Sequence, residues 1–293
     1  VDNFSLRDLK RDPNRVRFAS RQTTLPDSFD DAALYDWEFR RRRSDVTFYR
    51  ALAAERIGYN TGGKVLDLAC GSGRLLVPML RDGHTVVGLD RSAPMLERAA
   101  ARVGRTAAQQ KARCMLVRAD LRAFNLKPEF EFAVCAFHSV QHLLTNNDLV
   151  RFFQRVRRSL RPNGWFAFDV LPAHPDWLAR DPERRWSRTM FTHPTTGKRL
   201  VYTTNQLYEP RTKVLHIRTY YQPVDKLGRN VGTEYVVGMD SRQLEPDEVA
   251  SLLERASMKV IARYAAFDLH KHDRNVTFDK KSDEHVYIAK AIG

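Results

Sequence analysis

Between residues 64 and 170 the chain repeats one pattern: an unbroken apolar run of strand length, a turn, then a segment of helical period. The runs are "KVLDLAC", "HTVVGLD", "ARCMLVRAD", "FEFAVCAFH" and "GWFAFDV". A strand without polar alternation has both faces covered, which is the condition of a parallel sheet flanked by helices. Parallel neighbours also need a crossover long enough for a helix. The alternation therefore predicts an α/β fold with a doubly wound, mostly parallel sheet. Local signals agree. Ser92 followed by Pro94 marks a helix start, Pro78 predicts a short or kinked helix after the first strand, and Pro162-Asn163-Gly164 forms the turn before "GWFAFDV".

Two segments depart from this pattern. From about Ala33 to Ile57 one helical pattern precedes the first strand, behind a polar opening segment. After Val170, "RLVYTTNQLYEP", "KVLHIRTYYQPV" and "GTEYVVGM" alternate as antiparallel strands, with turns at Glu209-Pro210 and Leu227-Gly228. "EPDEVASLLERAS" then restores a helix, and "KVIARYAAF" and "EHVYIAKAI" close the chain as strands. The expected organisation is an N-terminal arm and lid helix over 1–58 and a core made of 59–171 and 241–293. A small antiparallel β insertion over 172–240 roofs a pocket.

Composition bounds the function. A hydrophobic content of 43% with 29% charged residues is ordinary for a globular protein. No apolar run reaches the roughly 18 residues of a membrane span, and no charged-then-apolar leader opens the sequence, so the expected location is cytoplasmic. Cys70, Cys114 and Cys135 fall in or beside strands without CxxC spacing and read as reduced core thiols, with no metal site expected. The net charge of +14 raises the question of an acidic partner. Residues 145–230 carry 16 Lys and Arg against 7 Asp and Glu. Yet in "RFFQRVRRSLR" the arginines oppose a face of Phe152, Phe153, Val156 and Leu160, the pattern of a solvated helix surface. The run Arg40 to Arg43 reads as a wet helix surface or a substrate rim.

The most specific feature is "VLDLACGSGR", where a strand runs into Gly71-Ser72-Gly73 and so brings bare amides against a ligand. A phosphate-cradling GxxxxGK[ST] loop is absent, and a dinucleotide fingerprint would want a small residue where Leu76 stands. An acid, Asp67, leads the turn, which suits a ligand with a cationic end or with hydroxyl and amine donors. The second strand ends in Asp90, placed to accept from ribose hydroxyls, and the third in "RADL", which brings Asp120 to the same edge. Open α/β sheets bind ligands at that edge.

"VLDLACGSGR", "VVGLDRSAPMLERAA", "RADL" and "LRPNGWFAFDV", in this order, resemble the class I S-adenosylmethionine-dependent methyltransferases. The resemblance implies a seven-stranded sheet with a reversed last strand, and S-adenosyl-L-methionine as cofactor. It implies that Asp67, Ala69, Gly71 and Gly73 line the methionine and ribose portion, that Asp90 holds the ribose, and that Arg91 and Met95 flank the adenine. Asp120 and Leu121 contact the adenine ring, and Phe137 completes the cofactor set. Ala69 stands where the family usually has Gly.

For the acceptor, the fourth strand leads into His138-Ser139-Val140-Gln141, without the Asn/Asp-Pro-Pro, paired-Glu or Pro-Cys signatures of relatives that modify macromolecules. The β insertion and the N-terminal Tyr35 resemble the small-molecule branch, which includes glycine, sarcosine and aminosugar N-methyltransferases. The expectation is methyl transfer to N or O of a small molecule, anionic ones included, by a monomer or homodimer without nucleic-acid or membrane partners. His142 and His138 are the candidates to orient the acceptor or take its proton, and Tyr35 to close over the reactive methyl. Tyr220, Tyr221 and Arg242 are further candidates for the roof. The alternatives are an RNA-binding protein or RNA methyltransferase using the basic surface, and a cofactor-binding regulator without turnover.

Overall fold

The computed structural model describes Phe18 and residues 25–172, 174–269, 282 and 284–292. The rest of the N-terminal arm lies outside the described residues.

Two helices come first, α1 (Ala32–Glu38) and α2 (Ser44–Ile57). The parallel core follows: β1 (Lys64–Leu68), α3 (Leu76–Arg81), β2 (Thr85–Asp90), α4 (Ala93–Gly104), α5 (Ala108–Lys111), β3 (Cys114–Arg118) and β4 (Phe130–Cys135). A 3-10 turn over Ser139–His142, α6 (Asn146–Ser159) and β5 (Leu160–Val170) complete it. Then come α7 (Pro175–Leu178), β6 (Trp186–Thr192), β7 (Arg199–Glu209), β8 (Val214–Pro223), β9 (Tyr235–Arg242), α8 (Pro246–Arg255), β10 (Met258–Tyr264) and β11 (His285–Ala291).

Seven strands form one sheet in the order β10-β11-β5-β4-β1-β2-β3. Strands β1 to β5 pair in parallel, while β11 runs antiparallel to β5 and to β10, the reversed closing strand that the resemblance implies. Side-chain alternation splits the core into two layers. Leu66, Leu68, Phe166 and Phe168 pack with α6 and α8 on one face. Val65, Val134 and Ala167 pack with α2 and α3 on the other. Order reverses at β1, flanked by β4 and β2, and this switch point opens a crevice at the strands' C-terminal ends.

Local chemistry fixes the ends of these elements. The Ser92 hydroxyl accepts from the Met95 amide at 3.4 Å and so caps α4, and Thr145 caps α6 from Asp148 N–H at 3.1 Å. Pro78 sits in the first turn of α3, where its missing N–H costs nothing, and the helix is correspondingly short. The basic excess of residues 145–230 is partly internal. Arg155 donates to the Arg122 and Phe124 carbonyls, and Arg185, Lys213 and Arg218 pair with Glu234, Glu248 and Asp240.

Strands β6 to β9 form a second, four-stranded antiparallel sheet. Its β6 was not foreseen from the sequence. Its residues are mostly exposed, so it carries little apolar alternation. Other expectations need correcting. The helical pattern of 33–57 is broken at Phe39–Arg43, because its halves bury against different partners: α2 against the main sheet through Phe48, Tyr49, Leu52 and Ala53, and α1 toward the second sheet through Leu34. The Arg40–Arg43 run is thus a connector, not a helix surface. Arg40, Arg41 and Arg42 line the rim of a cleft. Pro162-Asn163-Gly164 lies inside the paired segment of β5 beside a register shift against β4, with Asn163 at φ 66°.

Candidate active site

The segment joining β1 to α3 turns sharply. Ala69, Gly71 and Gly73 take φ of 55°, 54° and 81°, and the Gly73 amide donates back to the Cys70 carbonyl at 2.9 Å. Ala69 keeps the turn despite its methyl group, in a left-handed conformation that disfavours any Cβ. A Cβ built on Gly71 would meet nothing within 4 Å, so the backbone there faces open space. Gly73 serves packing instead. A Cβ there would meet Ala99 of α4 at 3.3 Å.

The three acids fare differently. The Asp90 carboxylate accepts from the Gly71 amide and from the Ser92 amide, each at 2.8 Å, and so ties the turn to the start of α4. Each oxygen keeps a lone pair for a ligand hydroxyl. Asp120 is clamped by the Arg122 guanidinium at 2.7 and 2.8 Å, which holds its carboxyl below the usual range. Asp67 is buried, its Oδ2 has no partner, and burial followed by the Asp90 charge pushes its carboxyl up to about 8. An unanswered buried carboxyl under an open turn fits the cationic end of S-adenosylmethionine.

Beyond β4, Phe137 and His138 are both left-handed, at φ 63° and 59°. Asp169, fully buried at the end of β5, holds both by accepting their amides at 2.9 and 2.7 Å, while Tyr49 donates its hydroxyl to the same carboxylate at 2.5 Å. His138 Nε2 lies 2.6 Å from Glu284, which also takes Arg42 at 2.5 Å. His138, Asp169 and Glu284 offer ligand atoms within 4.8 Å of one another, but both carboxylates are already engaged by these donors. Neither Asp169 nor Glu284 was singled out in the sequence, and Arg42 only as part of the Arg40–Arg43 run. Asp169 had a signal: it stands next to the last residue of its apolar run, as Asp67 does in β1.

His142 sits at the end of the 3-10 turn with Nδ1 3.1 Å from the Asp240 carbonyl of β9. A carbonyl only accepts, so Nδ1 carries the hydrogen and Nε2 carries the lone pair. Burial pushes the His142 ring below its ordinary range and keeps it neutral. Phe29 meets it edge-on at 5.1 Å. Tyr35 packs against Phe29, Phe39 and Phe137, and burial raises its phenol to about 12, so it keeps its proton.

One cleft of about 1710 Å³ joins these groups. Its lining includes Ala69, Gly71, Asp90, Arg91, Met95, Asp120 and Leu121 from the turn and strand ends. It also includes Tyr35, Phe137, His138 and His142, with the second sheet opposite. Asp67 reaches only a small adjoining cavity of about 30 Å³, which Tyr35, Ala69 and Phe137 share. Of the roof candidates Tyr221 lines the cleft. Tyr220, pointing the other way along β8, lies under Arg185 at 4.1 Å, and Arg242 is drawn to Glu248 at 2.6 Å. The cleft exceeds the several hundred Å³ of a single small-ligand pocket, which leaves room for two ligands.

This sheet order, with a ligand rim at its switch point, defines a class I methyltransferase fold. Residues 65–164 match the family described as "Methyltransferase domain". An uncharacterized methyltransferase of Synechocystis, sll0829, is 33% identical over 134 residues, 46% of this chain and 59% of that one. The dTDP-3-amino-3,4,6-trideoxy-alpha-D-glucopyranose N,N-dimethyltransferase of Streptomyces venezuelae is 27% identical over 170 residues, 55% of this chain and 67% of that one. The chain spans about half the length of the first curated relatives it matches. Among solved structures, the CcbJ methyltransferase of Streptomyces caelestis superimposes with a TM-score of 0.68 at 18% identity, over 91% of this chain and 99% of that one. No helix among the described residues is long and apolar enough to cross a membrane.

Proposed function

We propose that this protein is an S-adenosylmethionine-dependent methyltransferase that modifies an amine nitrogen of a small molecule. The observation that carries the proposal is His142: a neutral imidazole whose Nδ1–H is spent on the Asp240 carbonyl, on the wall of the cleft that also holds the Gly71 turn and Asp90. The activity of the Streptomyces venezuelae relative, N,N-dimethylation of an aminosugar, supports nitrogen over oxygen. A nucleotide-linked sugar would also suit the expected anionic acceptor.

Asp67 would meet the cofactor's ammonium, the Gly71 turn would admit its chain, and the free lone pairs of Asp90 would take the ribose hydroxyls. Arg91, Met95 and Leu121 would flank the adenine, with Asp120 contributing only as far as Arg122 releases it. When bound, S-adenosylmethionine supplies a methyl group on a sulfonium that a lone pair displaces in line, leaving a neutral thioether. His142 Nε2 takes the proton that an ammonium acceptor must shed before it has a lone pair, and later returns it to solvent. Tyr35, capped by aromatic rings, excludes water from the reacting end. Residues 1–58 would supply the lid through α1, 172–240 the roof, and 59–171 with 241–293 the core; α2, though inside the first range, belongs to the core by packing. The three free cysteines suit a reducing, cytoplasmic setting.

The test is to incubate the protein with a metabolite extract and isotopically labelled cofactor, and to read methylated products by mass spectrometry. Labelled amines are expected, and His142→Ala should lower their formation by about 10²-fold or more while S-adenosylhomocysteine affinity stays within twofold. Labelled RNA, or a fully active His142→Ala, would refute the reading.

A further inference from the structure

Two neighbouring residues of the cleft wall hold a strained backbone. Phe137 and His138 are both left-handed, at φ 63° and 59°, a conformation that disfavours any Cβ and is kept only where the surroundings enforce it. Asp169 enforces it by accepting both amides. The turn that follows is pinned as firmly. The buried Gln141 donates its side-chain amide to the Leu171 and Arg242 carbonyls at 3.3 and 2.9 Å, and accepts from the Leu171 amide at 2.8 Å. Its backbone amide donates to the His138 carbonyl at 2.9 Å. The turn thus presents His138 at its start and His142 at its end, and both line the cleft.

The His138 ring is fixed by a second carboxylate. Glu284, just before β11, has a side chain only 9% exposed and lies between two donors, His138 Nε2 at 2.6 Å and the Arg42 guanidinium at 2.5 Å. The Asp169 carboxylate stands 3.5 Å from the same Nε2. A carboxylate accepts and does not donate, so Nε2 carries the ring hydrogen and Nδ1 the lone pair. His142 is the opposite case, with its hydrogen on Nδ1 and its lone pair on Nε2. One pinned turn therefore carries two imidazoles, each with one nitrogen spent inside the protein and a lone pair on the other.

We propose that Glu284 is a positioning residue that makes His138 a second acceptor for the substrate amine, and that the two histidines together end the reaction at a tertiary amine. This rests on the methyltransferase reading. An ammonium acceptor gives one proton to His142 Nε2 and keeps another N–H on His138 Nδ1, which aims the freed lone pair at the methyl group. The N–C bond forms as the C–S bond breaks, the pair of the broken bond stays on sulfur, and the nitrogen is an ammonium again. Primary and secondary ammonium groups carry the two hydrogens this needs. A tertiary one carries a single hydrogen, and once His142 has taken it none remains for His138.

The test has two readouts. The first is nitrogen NMR of the full chain with isotopically labelled histidine, without cofactor or acceptor. The His138 signal, assigned by its loss in His138→Asn, should show hydrogen on Nε2 and none on Nδ1. Glu284→Ala should mix the tautomers, and Glu284→Gln, whose side-chain oxygen still accepts, should keep the parent's. The second readout is mass spectrometry after incubation with a metabolite extract and methyl-labelled cofactor. Labelled secondary and tertiary amines are expected, and no quaternary ammonium. Glu284→Ala should lower their formation about tenfold with S-adenosylhomocysteine affinity within twofold, and Glu284→Gln should recover most of it. Hydrogen on His138 Nδ1, a quaternary product, or full activity in Glu284→Ala would overturn the proposal. The tautomer and the products of the unaltered protein decide the matter even if the variants fail to fold. Loss of S-adenosylhomocysteine binding in the unaltered protein would instead sink the methyltransferase reading.

Discussion

Asp67 stores a cost in the cofactor-free protein. Its folded carboxyl titrates near 8, far above the unfolded value near 4, so the unfolded chain sheds this proton first as pH rises. Stability is therefore lost between about pH 4 and pH 8 and stays lost above. Asp67→Asn should be about as stable as the parent at pH 4 and roughly 5 kcal/mol more stable at pH 9, by urea unfolding. A cation at this site ionises the carboxyl, so S-adenosylhomocysteine binding at pH 7 should release a proton. Calorimetry in buffers of different ionisation enthalpy would detect it, and Asp67→Asn should abolish it. Single residues were legible unevenly. Asp67 and Asp90 stood out because they end apolar strands before a turn, but that Oδ2 of Asp67 lacks a partner depends on what surrounds it. The close approach of Gly73 to Ala99 of α4 was likewise hidden, since sequence shows a glycine's freedom and not what approaches it.

Among the elements, α1 depends on its neighbours. Seven residues are too few to hold a helix alone. Asp31 caps it by accepting the Leu34 amide at 2.8 Å, and Asp36 fastens it. The Asp36 carboxylate takes Ser72 of the glycine turn at 2.5 Å and Arg98 and Arg102 of α4, each at 2.6 Å. Burial would raise this carboxyl, but the bonds from Arg102, Ser72 and Arg98 outweigh it and hold it low. The fastening joins α1 to the glycine turn and to α4. Asp36→Ala should loosen α1 and speed tryptic cleavage in the Arg40–Arg43 connector by about fivefold or more, as local opening becomes easier. The periodicity of residues 33–57 could not show the break after Glu38, because apolar residues facing two different partners still recur at helical spacing.

At the scale of the molecule, the cleft lies between the edge of one sheet and the face of another, and its lining comes from segments far apart in sequence. His142 illustrates this, since its tautomer is set by Asp240 across the cleft. A ligand that bridges turn, strand ends and α1 should stabilise the whole. At one hundred times its dissociation constant, S-adenosylhomocysteine should add about 2.7 kcal/mol and raise Tm by roughly 5 °C. Differential scanning fluorimetry would measure it, and no shift at saturating concentration would contradict the site.

The sequence by itself determined the parallel sheet, its turn and the acids at its edge, because burial on both strand faces and tight backbone approach leave their mark on consecutive residues. It also marked three strands of the second sheet by their alternation. Only the tertiary structure decided which polar groups remain unanswered. Asp67 is open while Asp36 is closed by the arginines of α4, and nothing in their local sequence separates the two. Partners are chosen by proximity in space, and the segments that supply them are folded together only once both sheets have formed.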